Sequence, residues 1–173
     1  YNNSIRGISC SGSGGLIGLY FTGTNPVVYG NTISGLTSAT TTTMYGIQCA
    51  GTATVNLYGN KVYGLTNNNS ASTSANLLSG IHVSTNGTNT NIYNNLIGDL
   101  NAPNSISTEA IRGISMTATT ATTTLNLSFN TIYLNASSSG VNFGTSGIYH
   151  TTSATATSGN LTLRNNIIYN NST

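Results

Sequence analysis

Charge is what this 173-residue chain lacks most: Lys, Arg, Asp and Glu together make up 3% of it, against roughly 25% in an ordinary soluble domain. The formal net charge is +2, and the four cationic side chains are scattered, at Arg6, Lys61, Arg112 and Arg164. They form neither the basic stripe that binds nucleic acid nor the polybasic patch that binds an anionic membrane surface. We therefore expect neither partner.

Acidic residues and long apolar runs are equally scarce. The only acidic residues are Asp99 and Glu109, whereas oxygen-rich cation sites and two-carboxylate hydrolysis need several acids brought together. We expect Glu109 to pair with Arg112, and we expect no catalytic site, no metal site and no cofactor. His82 and His150 fall in different repeats, which makes a poor metal site. No apolar run approaches the roughly 20 residues that span a bilayer, so we expect no membrane insertion.

Proline is rare as well, with two residues in the chain. A sequence so rich in Ser, Thr, Asn and Gly can be disordered. However, 37% of the residues are hydrophobic and ten are Tyr, and the apolar residues recur in register. We therefore expect a folded chain.

What the sequence does contain is a repeat centred on one asparagine. Successive positions of this residue differ by 29, 35, 35 and 36 residues. The spacers between repeated blocks vary in length, which favours a solenoid, because insertions loop out without disturbing the stack. The central asparagines are Asn31, Asn60, Asn95, Asn130 and Asn166.

A second block, a glycine followed by isoleucine, precedes each asparagine block. It occurs at Gly46, Gly80, Gly113 and Gly147. For the first coil, two glycines could occupy the position of this block. The stretch 5–9 around Gly7 is repeated word for word at residues 111–115, whereas Gly18 has the better spacing to Asn31. We prefer Gly7.

Apolar and polar residues alternate in the asparagine block, which predicts strands with one buried face. One inward column contains Val28, Leu57, Ile92, Leu127 and Leu163, and another contains Ile33, Val62, Ile97, Ile132 and Ile168. Residues one coil apart can stack directly only if successive turns run parallel, and such connections are right-handed as a rule. We therefore predict an all-β fold, a right-handed parallel β-helix (solenoid) of about five coils. Residues 1–173 form one β-helix segment, which we expect to be a fragment of a longer repeat protein.

The recurring asparagine lies where the alternation breaks, so we predict a bend there. Asn tolerates the left-handed backbone that a bend needs, and stacked Asn side chains hydrogen-bond amide to amide. We predict a structural ladder of the five asparagines, not a ligand site. Residues 1–3 and 170–172 are interpreted as loops between coils and not as caps. We therefore expect further β-helix coils, in the same or another chain, to continue the stack.

Two tyrosine columns and two cysteines are the remaining candidates. Outward columns are predicted for Tyr29, Tyr58 and Tyr93 and for Tyr63, Tyr133 and Tyr169. Such exposed rings either cover the sheet, which we favour, or contact glycans. Cys10 and Cys49 are predicted to share an inward column of adjacent coils, near enough for a disulfide. Parallel in-register neighbours seldom have suitable Cβ geometry, so we favour two buried free thiols. We interpret His82 as a surface residue.

The repeated blocks resemble those of the parallel β-helix repeat family in the pectin-lyase-like superfamily, across nearly the whole chain. The phrases at residues 91–100 (NIYNNLIGDL) and 146–151 (SGIYHT) look like long secreted surface proteins of Bacteroidota-type bacteria. That resemblance implies an extracellular or cell-surface location. Enzymes of the superfamily typically use clustered or paired carboxylates, which this chain lacks.

These observations lead us to expect a non-catalytic structural or adhesive segment of a secreted cell-surface or extracellular filament protein. The first alternative is a carbohydrate-binding module that uses the exposed tyrosines to contact surface glycans. Ice binding through the Thr-rich stretches 117–124 and 151–157 is a less favoured alternative. A polysaccharide-degrading enzyme is also disfavoured, because the necessary acids are missing.

Overall fold

The structure, a computed structural model of the chain, describes residues 1–40, 43–69, 77–84, 87–117, 124–151 and 160–173. Every regular element in these ranges is a β-strand. The strands are β1 (Ser4–Arg6), β2 (Ser9–Cys10), β3 (Leu16–Thr24), β4 (Val27–Tyr29), β5 (Thr32–Ser38), β6 (Met44–Thr52), β7 (Thr54–Tyr58), β8 (Lys61–Asn67), β9 (Leu78–Val83), β10 (Asn89–Tyr93), β11 (Leu96–Asn101), β12 (Ile111–Met116), β13 (Thr124–Ser128), β14 (Thr131–Leu134), β15 (Thr145–His150), β16 (Asn160–Arg164) and β17 (Ile167–Asn170).

These strands form three sheets, and each coil of the chain contributes a strand to each sheet in turn. Sheet A has the order β1-β5-β8-β11-β14-β17, with β2 also paired to β5. Sheet B has the order β15-β12-β9-β6-β3, and sheet C has the order β16-β13-β10-β7-β4. The pairings within the sheets are parallel and join strands one coil apart. The fold is therefore a parallel β-helix, as the repeat predicts.

The register of the sheets brings equivalent residues of successive coils together. In sheet A, Ile97 lies between Val62 and Ile132. In sheet C, Ile92 lies between Leu57 and Leu127. These six side chains are fully buried in the core between the sheets. Because adjacent strands are about 4.8 Å apart, each column is a continuous apolar stack along the axis, and the predicted columns are confirmed.

The glycine of the Gly-Ile block marks a close approach between sheets B and A. A Cβ atom added at Gly80 would lie 2.5 Å from Ile97 Cγ2 and 2.8 Å from the backbone oxygen of Gly113. Real Cβ atoms are not found at such distances from other heavy atoms. A side chain is therefore excluded here because the inward strand packs directly onto the Ile column of sheet A.

The first coil differs from the prediction. Gly18 occupies the Gly-Ile position, since its neighbour Leu19 lies opposite Ile47 in sheet B. The preferred anchor, Gly7, is wrong: it follows β1 in sheet A, where Ile5 lies opposite Ile33. Residues 1–5 are therefore one more asparagine block, and the interpretation of residues 1–3 as a loop between coils is also wrong.

Candidate functional site

The central asparagines form a buried hydrogen-bonded ladder at the corner between sheets C and A. In each step, one Oδ1 accepts both the backbone N–H and the Nδ2–H of the asparagine in the preceding coil. For Asn60 and Asn95 these two distances are 3.0 and 3.0 Å. The same pair of bonds joins Asn31 to Asn60, Asn95 to Asn130 and Asn130 to Asn166.

The ladder has a further member that sequence reasoning missed. Asn3 donates its backbone N–H and its Nδ2–H to Asn31 Oδ1, at 3.0 and 2.9 Å. The missed signal is the triplet Tyr1-Asn2-Asn3, which repeats as Tyr93-Asn94-Asn95. Between its two end members the ladder satisfies its own polar groups, and it therefore acts as a structural element of the corner.

The bend itself is made by the residue before each ladder asparagine. Positive φ angles occur at Gly30, Gly59, Asn94, Phe129 and Asn165, between 52° and 67°. The ladder asparagines do not have positive φ. Assigning the left-handed backbone to them was therefore wrong by one residue, because their buried amides are held by cross-coil bonds and the turn falls on the exposed neighbour.

The first tyrosine column is a face-to-face stack beside this corner. The ring centroids of Tyr1 and Tyr29 are 4.8 Å apart, those of Tyr29 and Tyr58 are 5.0 Å apart, and those of Tyr58 and Tyr93 are 4.7 Å apart. The interplanar angles are 8° or less. Desolvation in the stack, reinforced by the neighbouring phenols, raises the pKa of Tyr29 and Tyr93. Tyr29 and Tyr58 thus have both ring faces covered by other tyrosines.

The second tyrosine column is interrupted. Tyr133 and Tyr169 stack at 5.4 Å with an interplanar angle of 6°. Gly98 lies between Tyr63 and Tyr133 in the register of sheet A, so the ring of Tyr63 stands apart from the other two. The column is a pair and a single ring rather than a continuous surface.

The outer face of sheet B holds the main cluster of titratable side chains. Arg112 is only 3% exposed; its guanidinium lies 3.3 Å from the centroid of the Tyr149 ring. Its Nε lies 3.4 Å from Glu109 Oε2, which confirms the predicted pair. Ser146 Oγ donates to the same carboxylate oxygen at 3.2 Å, and Arg112 Nη1 donates to Ser115 Oγ at 3.3 Å. The charged groups of Arg112 and Glu109 thus interact with each other and with neighbouring side chains.

His82 belongs to the same face and does not lie at the surface, so that prediction was wrong. It is 6% exposed, and its ring stacks on Tyr45 with centroids 4.2 Å apart. Burial, and then the nearby charge of Arg112, lowers the pKa of His82 to about 4. An outward residue is buried here because the ring of Tyr45 in the adjacent strand stacks on it, a contact that strand periodicity does not reveal.

The cysteines do not share a column. Cys49 lies opposite Phe21 in sheet B, whereas Cys10 lies opposite Ser38 in sheet A. Both thiols are free; Cys49 is buried and Cys10 is half-buried. The predicted shared column was wrong because it depended on Gly7 as the first anchor. Burial raises the pKa of Cys49 to about 11, so this thiol stays protonated at neutral pH.

The two acidic side chains have separate partners. Asp99 Oδ1 accepts from Asn101 Nδ2 at 2.9 Å, on the exposed side of β11. Glu109, which precedes β12, pairs with Arg112, which lies within β12. In the part of the chain that the structure describes, no group of three His, Cys, Asp or Glu side chains could hold a metal ion. Within the same ranges no helix is long and apolar enough to cross a bilayer.

Most of the Thr-rich stretches considered for ice binding, at residues 118–123 and 152–157, lie outside the described residues. Comparison with protein-family models, with curated proteins and with solved structures finds no match to this chain.

Proposed function

We propose that this segment is a non-catalytic structural or adhesive part of a secreted cell-surface or extracellular filament protein. Its partners are further β-helix coils, in the same or another chain. The observation that carries the proposal is the open, self-complementary character of the two end faces of the solenoid. The cell-surface location is supported by the resemblance to long secreted β-helix proteins.

The C-terminal end face exposes residues of the inward columns. Leu163 is 50% exposed and Ile168 is 45% exposed, whereas Leu127 and Ile132, one coil below them, are 0% exposed. The side chains of the two coils have the same orientation. The exposure differs because a further coil covers Leu127 and Ile132, whereas no coil covers Leu163 and Ile168. One more coil on this face would bury these two side chains, at a gain of roughly 25 cal/mol for each Å² of apolar surface.

The hydrogen-bonding groups of the two end faces are also complementary. Among the described residues, the backbone N–H of Asn166 has no acceptor, and Oδ1 of Asn3 accepts no hydrogen bond. Within the ladder, a backbone N–H bonds to the Oδ1 of the next coil. The C-terminal face of one copy therefore offers the donor that the N-terminal face of another accepts. Open strand edges of this kind pair readily with further strands.

Sedimentation velocity on the 173-residue chain tests this proposal. We expect concentration-dependent end-to-end association that Leu163→Lys weakens, because the charge would be buried at the contact. Leu96→Lys is the matched control: Leu96 is 43% exposed but lies on the side of the solenoid. A folded chain that stays monomeric at all concentrations, or equal effects of the two substitutions, would contradict the proposal.

Carbohydrate binding through the column of Tyr29, Tyr58 and Tyr93 receives less support. A sugar ring stacks on the face of an aromatic ring, and the faces of Tyr29 and Tyr58 are covered by neighbouring tyrosines. Among the described residues of this stack, only the outer faces of the two end rings, Tyr1 and Tyr93, have no ring against them. The column as a whole is better suited to covering the edge of sheet C than to binding a glycan along its length.

A further inference from the structure

The last two coils depart from the repeat at the corner where sheet C ends. In the preceding coils the residues before the ladder asparagine are Tyr followed by Gly or Asn, as at Tyr58 and Tyr93, whereas the last coil has Arg164 and Asn165. In the coil of β13 they are Ser128 and Phe129. Ser128 lies opposite Tyr93 on one side and Arg164 on the other. The tyrosine stack therefore stops at Tyr93, and a small side chain leaves a gap before Arg164.

A second ladder on the outer face of sheet C stops one coil later, at Asn126 in β13. Asn91 Nδ2 donates to Asn56 Oδ1, and Asn126 Nδ2 donates to Asn91 Oδ1, both at 3.0 Å. The next residue in this column is Thr162, which has no amide to continue the series. Two ladders thus end in adjacent coils, one of rings at Tyr93 and one of amides at Asn126.

A pocket of about 300 Å³ lies where both ladders end. This volume is at the lower end of the range of roughly 300–1,000 Å³ for small-ligand pockets, and it suits one sugar unit. The pocket is lined by Asn91, Asn126, Leu127, Ser128, Thr162 and Arg164.

The polar groups of this pocket are available to a ligand. Among the described residues, no hydrogen bond engages Asn126 Oδ1, Ser128 Oγ, Thr162 Oγ1 or the guanidinium of Arg164. The lining contains an acceptor, two hydroxyls and one cation, and it contains no carboxylate. Hydroxyl groups of a sugar match the first three, and an anionic group matches the guanidinium, which forms strong charge-assisted hydrogen bonds.

The backbone beside the pocket is strained. Phe129 has a φ of 56°, a left-handed conformation that costs little for the Gly and Asn found at this position in other coils but is unfavourable for an aromatic residue. Its side chain is 57% exposed. Strain of this kind clusters at ligand-binding and active sites, and here it coincides with the pocket and with the break in both ladders.

We propose that this pocket binds one anionic pyranose unit of a glycan, carrying either a carboxylate or a sulfate group, with Arg164 as the partner of the anion. The site lies on the outer face of sheet C and not on the end faces. Sugar binding at this site goes beyond the proposed end-to-end stacking. An experiment can contradict either proposal without contradicting the other.

Titration calorimetry with glucuronic acid, glucose 6-sulfate and glucose tests the proposal. The two anionic sugars bind about tenfold or more tightly than glucose, because a charge-assisted hydrogen bond is lost with the neutral sugar. The ratio of the dissociation constants of the two anionic sugars shows whether the site prefers a carboxylate or a sulfate group. Arg164→Gln removes the preference for charge, and Arg6→Gln, a charge-matched substitution in β1, leaves it intact.

Ser128→Tyr provides the decisive variant, because it restores the residue that the preceding coils have and fills the gap with a ring stacked on Tyr93. We expect it to abolish binding while its thermal midpoint is unchanged or raised. Thr162→Asn is a second gap-filling variant, which continues the amide ladder by donating to Asn126 Oδ1. The proposal is overturned if no sugar binds the folded protein, if both gap-filling variants bind as the parent does, or if Arg164→Gln keeps the preference for charge.

Discussion

Each inner ladder asparagine is a connection between three coils. Asn60 accepts two hydrogen bonds from Asn31, at 3.0 and 2.9 Å, and its Nδ2 donates to Asn95 Oδ1 and to the backbone oxygen of Val28. All of these groups are buried or nearly so. The amide therefore satisfies polar atoms of the coils on both sides as well as those of its own corner.

Asn60→Ala removes these partners at once. Because each buried group left without a partner costs about 1–3 kcal/mol, we expect a loss of roughly 2–5 kcal/mol in the free energy of unfolding, measured by urea denaturation. Asn3→Ala is the matched control: the side chain of Asn3 is exposed and donates one bond, to Asn31. A similar loss in both variants would contradict a structural role that depends on burial.

His82 gives the fold a dependence on pH. Its pKa is about 4 in the folded chain because of burial and then Arg112, against an ordinary value of 6.5. Between these values the unfolded chain binds a proton that the folded chain does not, so the stabilising contribution is present above pH 6.5 and is lost as the pH falls towards 4. At about 1.4 kcal/mol per unit of pKa, the loss is roughly 3 kcal/mol.

His82→Gln should flatten this dependence. Urea midpoints of the parent chain fall between pH 6.5 and 4, and those of the variant change much less, since Gln does not titrate. His150→Gln, at the end of β15, is the control and should keep the parent's slope. Equal slopes for the parent and His82→Gln would rule out His82 as the source.

Between elements, the closest contact is that of the Gly-Ile block with the Ile column of sheet A. Gly80→Ala places a methyl group against Ile97 Cγ2 and the Gly113 backbone, and the backbone oxygen cannot move without breaking the sheet. Overpacking of this kind costs about 1–3 kcal/mol or more, so we expect a clear drop in the thermal midpoint. Gly12→Ala meets no atom within 4 Å and should change the midpoint little.

The inner side of these elements could be predicted from the sequence, and their ends and outer side only in part. Columns such as that of Ile33, Val62 and Ile97 follow from alternation with period two, because burial on one face imposes that period. The first coil was misplaced because residues 5–9 and 111–115 are identical in sequence but lie in different sheets. A match of five residues does not determine the sheet to which a segment belongs. Its position relative to the asparagine ladder does.

The outer side escaped prediction for a different reason. Arg112 and His82 point outward yet are buried, because the rings of Tyr149 and Tyr45 in neighbouring strands lie against them, and the alternation within one strand does not predict such contacts. The pocket beside Ser128 was missed because a repeat is recognised by what its copies share. The candidate site lies instead where two copies differ, at Ser128 in one coil and at Thr162 and Arg164 in the next.

For the whole molecule, the parallel stacking means that each coil contacts mainly the coils next to it, and stability is then close to a sum over coils and their interfaces. Deletion of residues 96–130 tests this, since it removes one ladder period of 35 residues and joins Asn95 to Thr131. The inward columns stay in register, because Thr131 follows Asn130 as Leu96 follows Asn95. We expect a folded chain with an unchanged β-type circular dichroism spectrum and a lower free energy of unfolding.

The matched control is deletion of residues 96–110, which removes the sheet A strand β11 and leaves the Gly-Ile strand β12 intact. The chain would then pass from sheet C to sheet B with no strand between them, and every later residue would be displaced relative to the ladder. We expect this shorter deletion to prevent cooperative folding although it removes fewer residues. If the full-coil deletion unfolds the chain as completely as the partial one, stability is not a sum over neighbouring coils, and the solenoid depends on contacts that bypass the stack.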